Sequence, residues 1–217
     1  MDIKVCTKKI CTIIFTLSIS NIAFSMPIAH LYLDSEQGDY IGQGRTFDIN
    51  YTPDNSDHFL AYLTGPATSE PTYLTFILGT VTSGFDNTYA ILNFGTNQLD
   101  IPIQAGDYLD AERAPFASLG HPGLDISFQN RGCNRVKGNF SVITTVFSDK
   151  AQEATGSKIE TFSASFEQHC EGHEPALFGE FYYDAFGRAQ GVSEPSVFAL
   201  LSIGFLGLLF SNRRRKQ

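Results

Sequence analysis

His169, Cys170 and His173, with Glu171 among them, have the ligand types of a zinc site. On an extended strand, however, His169 and Cys170 point to opposite faces, and a rise of about 3.3 Å per residue sets His169 and His173 ~13 Å apart. They share an ion only if a turn at Gly172 folds them together; otherwise Cys170 is a structural cysteine with polar neighbours. Asp34, Glu36 and Asp39 surround a turn at Gly38 and offer the hard oxygen ligands that suit calcium, at a spacing unlike an EF-hand loop. Asp107, Asp110 and Glu112 supply the carboxylates of a glycoside hydrolase, yet two such groups must face each other across a sugar. Asp110 and Glu112 on one strand would share a face, as on a solvated edge. Tyr40 and the pair Tyr182-Tyr183 are the nearest candidates for a sugar-stacking platform, although the chain has no Trp and paired tyrosines usually send one ring inward. No nucleophile elbow, phosphate loop or His-Glu-x-x-His motif occurs. The expectation is therefore a non-enzymatic protein with no cofactor.

The elements that must position these groups are strands. Residues 161–170 alternate, with Phe162, Ala164, Phe166 and Cys170 on one face and Thr161, Ser163, Ser165, Glu167 and His169 on the other. Residues 139–147 repeat the pattern through Phe140, Val142, Thr144 and Val146. Residues 73–81 and 89–94 are more continuously apolar, as strands near a core would be. Residues 59–63 and 178–183 are further candidates. Turn formers separate them at Gly38-Asp39, Pro53-Asp54-Asn55, Gly65-Pro66, Ser83-Gly84, Gly106-Asp107, Pro122-Gly123 and Arg131-Gly132. Apart from the two chain ends, no window has a clean helical period. The fold class expected is all-β, an antiparallel β-sandwich of jelly-roll type, with 19 Phe in the chain to supply core volume.

The ends read differently. Lys4, Lys8 and Lys9 precede an apolar stretch over residues 10–24, and Ala23-Phe24-Ser25 offers a small-residue cleavage site. This is the pattern of a signal peptide over residues 1–25, cut by signal peptidase after Ser25, with an uncleaved anchor as the alternative. At the other end Ser193-Glu194-Pro195 precedes an apolar run over residues 197–210 and then Arg213-Arg214-Arg215-Lys216. That run is short for a hydrocarbon core of ~30 Å, although its polar edges extend it. The basic stop keeps the tail cytoplasmic and the body outside.

The tail resembles a PEP-CTERM sorting signal: Ser193-Glu194-Pro195, Ala199-Leu200-Leu201, Gly204, Leu206-Gly207-Leu208-Leu209 and the terminal arginines stand in its order, with Ser193 where that family usually has proline. The resemblance implies export, recognition by an exosortase-type membrane enzyme, and an association with exopolysaccharide. A plain transmembrane anchor is the alternative. The chain then divides into a signal segment (1–25), a β-domain (26–186), a tether with the sorting motif (187–195) and a transmembrane segment with a basic tail (196–217).

Charge narrows the partners. The chain has 15 basic and 23 acidic residues; the two end segments remove seven of the former and one of the latter, leaving 8 against 22 and a net charge of −14 on the body. Such a surface repels nucleic acid and anionic lipid. Cys6 and Cys11 leave with the signal segment, so an exported body keeps Cys133 and Cys170, most simply a disulfide in an oxidising compartment. The body also resembles a domain of uncharacterised exported bacterial proteins, over residues 95–185. The resemblance runs through Ala105-Gly106-Asp107-Tyr108, Pro122-Gly123-Leu124-Asp125, Arg131-Gly132-Cys133-Asn134, Gly138-Asn139-Phe140 and residues 162–172 to Pro175-Ala176-Leu177-Phe178-Gly179. It implies a disulfide-stapled β-domain and no particular activity. The expected function is a structural or adhesive cell-surface or matrix protein; a carbohydrate-binding module for exopolysaccharide, or a calcium-dependent adhesin, are the alternatives.

Overall fold

Ten strands follow one another with no α-helix among the described residues, which in this computed structural model are 26–65, 70–83, 86–152 and 155–188. They are β1 (Ile28–Ser35), β2 (Thr46–Tyr51), β3 (His58–Thr64), β4 (Tyr73–Gly79), β5 (Ala90–Gly95), β6 (Gly106–Arg113), β7 (Gly123–Phe128), β8 (Val136–Phe147), β9 (Ile159–Cys170) and β10 (Ala176–Asp184). All belong to one sheet, in the order β2-β1-β10-β9-β8-β6-β7-β5-β4-β3. Every pairing is antiparallel except the short contact of β6 with β7. The all-β, antiparallel expectation therefore holds. The strands do not separate into two independent sheets; one sheet curls until it is nearly a barrel. The signal segment, sorting motif, transmembrane segment and basic tail lie outside the described residues.

Aromatic side chains bring the two halves of the sheet together. Phe76 of β4 packs on Phe162, Phe181 and Tyr183 of β9 and β10, with ring centroids 4.7–5.4 Å apart. Phe94 of β5 meets Phe140 and Phe162, and Phe47 of β2 meets Phe128 of β7 at 4.7 Å. Rings of this size each bury a large apolar area, and the offset and edge-on pairings suit their quadrupoles. The two-residue period of β9 delivers Phe162, Ala164 and Phe166 to this core, although Thr161 and Ser163 on its other face are buried as well.

One polar residue joins them. Gln168 has the same parity as Phe166 and Cys170 and is fully buried. Its amide oxygen accepts from Ile126 N at 2.8 Å, and its amide nitrogen donates to Ile126 O at 2.9 Å and towards Cys133 Sγ at 3.4 Å. The reason lies in β6. That strand runs beside β7 only through Glu112 and Arg113, and Ala114 N still donates to Leu124 O. Two residues further along β7, Ile126 turns its N–H and C=O the same way, but β6 has departed. The Gln168 amide stands in for the missing strand, so both buried backbone groups are satisfied.

The Cys133–Cys170 disulfide forms beside this contact, with Cα atoms 5.1 Å apart and both cysteines buried. At the end of the domain, buried Asp184 accepts from Phe186 N at 2.7 Å, Thr161 Oγ1 at 3.2 Å and Arg188 Nε at 3.0 Å, tying the outgoing chain to β9 and β10.

Candidate functional site

The outward face of β1, β10, β9 and β8 carries a groove of about 390 Å³. Register sets its layout. Tyr32 stands opposite Glu180, Glu180 opposite Ser165, and Ser165 opposite Ser141. In the next outward row Asp34 stands opposite Phe178, Phe178 opposite Glu167, and Glu167 opposite Asn139. Aromatic and carboxylate side chains thus alternate like squares of a chequerboard. Tyr32 and Phe178 occupy one diagonal and Asp34 and Glu180 the other, with directly paired residues about 5 Å apart and neighbours along a strand about 7 Å apart.

Two inward glycines sit against close neighbours beneath this patch. A Cβ on Gly179 would come within 2.3 Å of the Phe166 ring and 2.8 Å of Tyr32 O, and one on Gly138 would strike the Glu167 carbonyl. Glycine at both places lets β1, β10, β9 and β8 lie close while Phe166 fills the inner side.

The carboxylates differ in their commitments. Asp34 Oδ1 accepts from Thr46 Oγ1 at 3.1 Å, and Glu167 Oε1 meets His169 Nε2 at 2.9 Å. Glu180 makes no hydrogen bond or ion pair among the described residues and is exposed. Phe178 is 40% exposed, which is high for a phenylalanine on a sheet. Partial burial draws the His169 imidazole down, but Glu167 and the backbone groups of Glu174 and His173 outweigh it, and its pKa is raised. Among the described residues no Lys or Arg lines the groove. The surface is thus an acceptor-rich bed with two aromatic rings, suited to holding polyhydroxylated or cationic groups rather than anions.

The sequence candidates fall in different places. Asp34 lines the groove, whereas Glu36 Oε2 accepts from Ala176 N at 2.8 Å and Asp39 turns inward. Asp39 is buried, accepting from Ser35 Oγ at 2.8 Å, Gly42 N at 2.7 Å and Ile41 N at 3.3 Å, so it pins the β1–β2 loop. The three carboxylates expected around Gly38 are thus committed to different partners. Among the described residues no group of three or more His, Cys, Asp or Glu is arranged to hold a metal ion. His169 is paired with Glu167, and Cys170 with Cys133.

Asp107 accepts from Ser141 Oγ at 2.6 Å, Glu112 accepts from Ser118 N at 2.7 Å, and Asp110 sits at positive φ (57°) in a bulge beside His121. The register slips between Tyr108 and Ala111, both of which point inward although three residues apart. Tyr183 is in the core while Tyr182 stays half-buried, the division expected of the pair. The Tyr182 hydroxyl donates to Arg188 O at 2.6 Å, and burial with nearby Asp184 pushes its pKa up to about 12. Tyr40 is exposed on the β1–β2 loop, away from the groove.

Sequence reasoning missed Tyr32, Phe178 and Glu180 as a set. An alternating pattern with aromatics on the polar side of β1 and β10 was the available signal. Among the described residues no helix is long and apolar enough to cross a membrane. No family model, curated protein or solved structure matches the chain.

Proposed function

We propose that this is an exported, non-catalytic cell-surface or extracellular-matrix protein whose β-domain is adhesive. Signal peptidase would release it near Met26, and an exosortase-type membrane enzyme would process the tail at Ser193-Glu194-Pro195. The observation that carries the adhesive reading is the open chequerboard groove, a preformed surface with aromatic faces and hydrogen-bond acceptors. The buried Cys133–Cys170 disulfide fits an oxidising compartment, as export requires. The two facing halves of the curled sheet support a sandwich-like description of the same domain. Asp107 and Glu112 hold their own loops and strands through hydrogen bonds, a structural use of the carboxylates a glycosidase would have needed.

A second reading, a carbohydrate-binding module for exopolysaccharide, is favoured by the same groove. Sugar rings present hydroxyls to carboxylates and C–H faces to aromatic rings, and both partners are on offer here. A calcium-dependent adhesin has less support, since Asp34, Glu36 and Asp39 are committed to separate contacts.

Intact mass of the native protein tests the export and sorting part. A species beginning near Met26 and ending around Ser193 to Pro195 is expected; one running to Gln217 would refute processing of the tail. A glycan array, with and without EDTA, tests the domain. Binding unaffected by EDTA would support the carbohydrate reading, and silence on every glycan would leave a purely structural role.

A further inference from the structure

We infer that the groove binds an ammonium-bearing sugar, so that the ligand of the domain is an amino-sugar polysaccharide with free amines. The inference rests on the carbohydrate reading above and specifies its chemistry. Cross-strand pairing puts Tyr32 against Glu180 and Phe178 against Asp34, while neighbours along each strand complete the alternation. A cation seated at the centre of that square lies among two aromatic rings and two carboxylate side chains. Rings attract a cation through the negative face of their quadrupole, and carboxylates attract it by charge.

Charge complementarity selects the occupant. With Asp34, Glu167 and Glu180 present and, among the described residues, no Lys or Arg on the lining, the groove repels uronates and sulfated sugars. Glu180 has no partner among the described residues, so a ligand ammonium would displace no ion pair. The net charge of −14 on the body strengthens long-range attraction for a polycation. Beyond the square, the rows continue through Ser165 and Asn139, giving hydrogen-bond partners to the hydroxyls of flanking rings. Hydroxyl-binding groups extending on one side are what a saccharide uses and a lone ammonium does not.

The test is calorimetric titration of the full chain, held in neutral detergent, at a pH where the sugar amine is protonated. The probes are a glucosamine oligomer, its fully N-acetylated counterpart, and a lysine-rich peptide of matched charge. The free-amine oligomer should bind best, with affinity falling as salt rises. Acetylation should weaken binding by about tenfold or more, as loss of a cation–π contact and an ion pair implies. Glu180→Gln and Phe178→Leu should each weaken the free-amine oligomer while leaving the melting temperature unchanged. Equal affinity for the two oligomers would overturn the ammonium inference but leave the carbohydrate reading standing. No binding to either oligomer would overturn the inference, and silence across the whole glycan array would overturn the carbohydrate reading with it. Tighter binding of the peptide would overturn the inference by making the occupant a protein.

Discussion

Replacing Gln168 by Leu removes an amide that serves as a substitute strand. The side chain is fully buried, and its two strong hydrogen bonds go to Ile126 N and Ile126 O at 2.8 and 2.9 Å. Leucine has a similar volume, so little cavity forms and the apolar gain is modest. What remains is a buried N–H and a buried C=O with no partner, each costing about 1–3 kcal/mol. Net destabilisation of about 2–5 kcal/mol follows, a large part of the ~5–15 kcal/mol of an ordinary domain. Urea unfolding with the disulfide intact measures it: the midpoint should fall by about 1–2 M with the slope unchanged. A companion substitution, Gln168→Glu, keeps an acceptor for Ile126 N but donates to Ile126 O only when protonated. Its deficit should therefore shrink as pH falls, because protonation is favoured in the folded state. A Leu variant within about 0.5 kcal/mol of the parent would refute the substitute-strand argument, since surface-like changes have that size.

Removing the disulfide by Cys133→Ala and Cys170→Ala should cost about 4 kcal/mol for a closed loop spanning a separation of 37 residues, read by denaturation of the oxidised parent against the double variant. Asp125, buried on β7 and bonded to Arg113 Nε at 3.2 Å, has its carboxyl pKa raised by burial despite the arginine. The folded state thus holds that proton more tightly, so its contribution to stability rises as pH falls from neutral towards the ordinary carboxylate range. Asp125→Asn should flatten this part of the pH–stability curve measured by chemical unfolding. His169 should titrate above an ordinary imidazole by NMR and drop in Glu167→Gln; its stabilising share is present at low pH and lost as pH rises through the raised value.

Several strands were legible in the sequence within a few residues: β9 through Phe162, Ala164 and Phe166, and β3, β4, β5 and β10. β8 was legible through Phe140 and Val142, but a bulge after Val142 turns Thr144 and Val146, expected on the same face, outward. The Cys133–Cys170 pair was legible too, since an exported body keeps two cysteines. Gln168 carried a readable signal, a polar residue at an inward parity between Phe166 and Cys170, which marks a buried network rather than an exposed face. β2 was also open to reading, with Phe47, Ile49 and Tyr51 alternating against Asp48 and Asn50. β1 was harder, because Ile28 and Tyr32 place apolar groups on its outward face as well. β6 resisted because its bulge breaks the two-residue period at Leu109 and Asp110, and β7 because buried Asp125 interrupts it. One curled sheet rather than two depends on strand order, and that information is not local. The groove is the extreme case: Tyr32 meets Glu180 only because the first strand pairs with the last.

That pairing also decides how the domain would respond to a load. β10 is the final strand, yet it lies inside the sheet between β1 and β9. Its hydrogen bonds to both neighbours run across the strand direction. A ligand gripped at Tyr32 and Asp34 of β1 and at Glu167 of β9, set against a hold at Arg188 just after β10, would pull β10 against both neighbours along the strand direction. Both ladders would then be strained together, all rungs at once, and the domain would resist as a shear joint. Pulling on the start of β1 and the end of β10 is different, because Ile28 pairs with Asp184 and both lie at the same end of the sheet. The β1–β10 ladder would then open one rung at a time, like a zip. A protein fastened by its tail and loaded through this groove would therefore hold in its stronger direction.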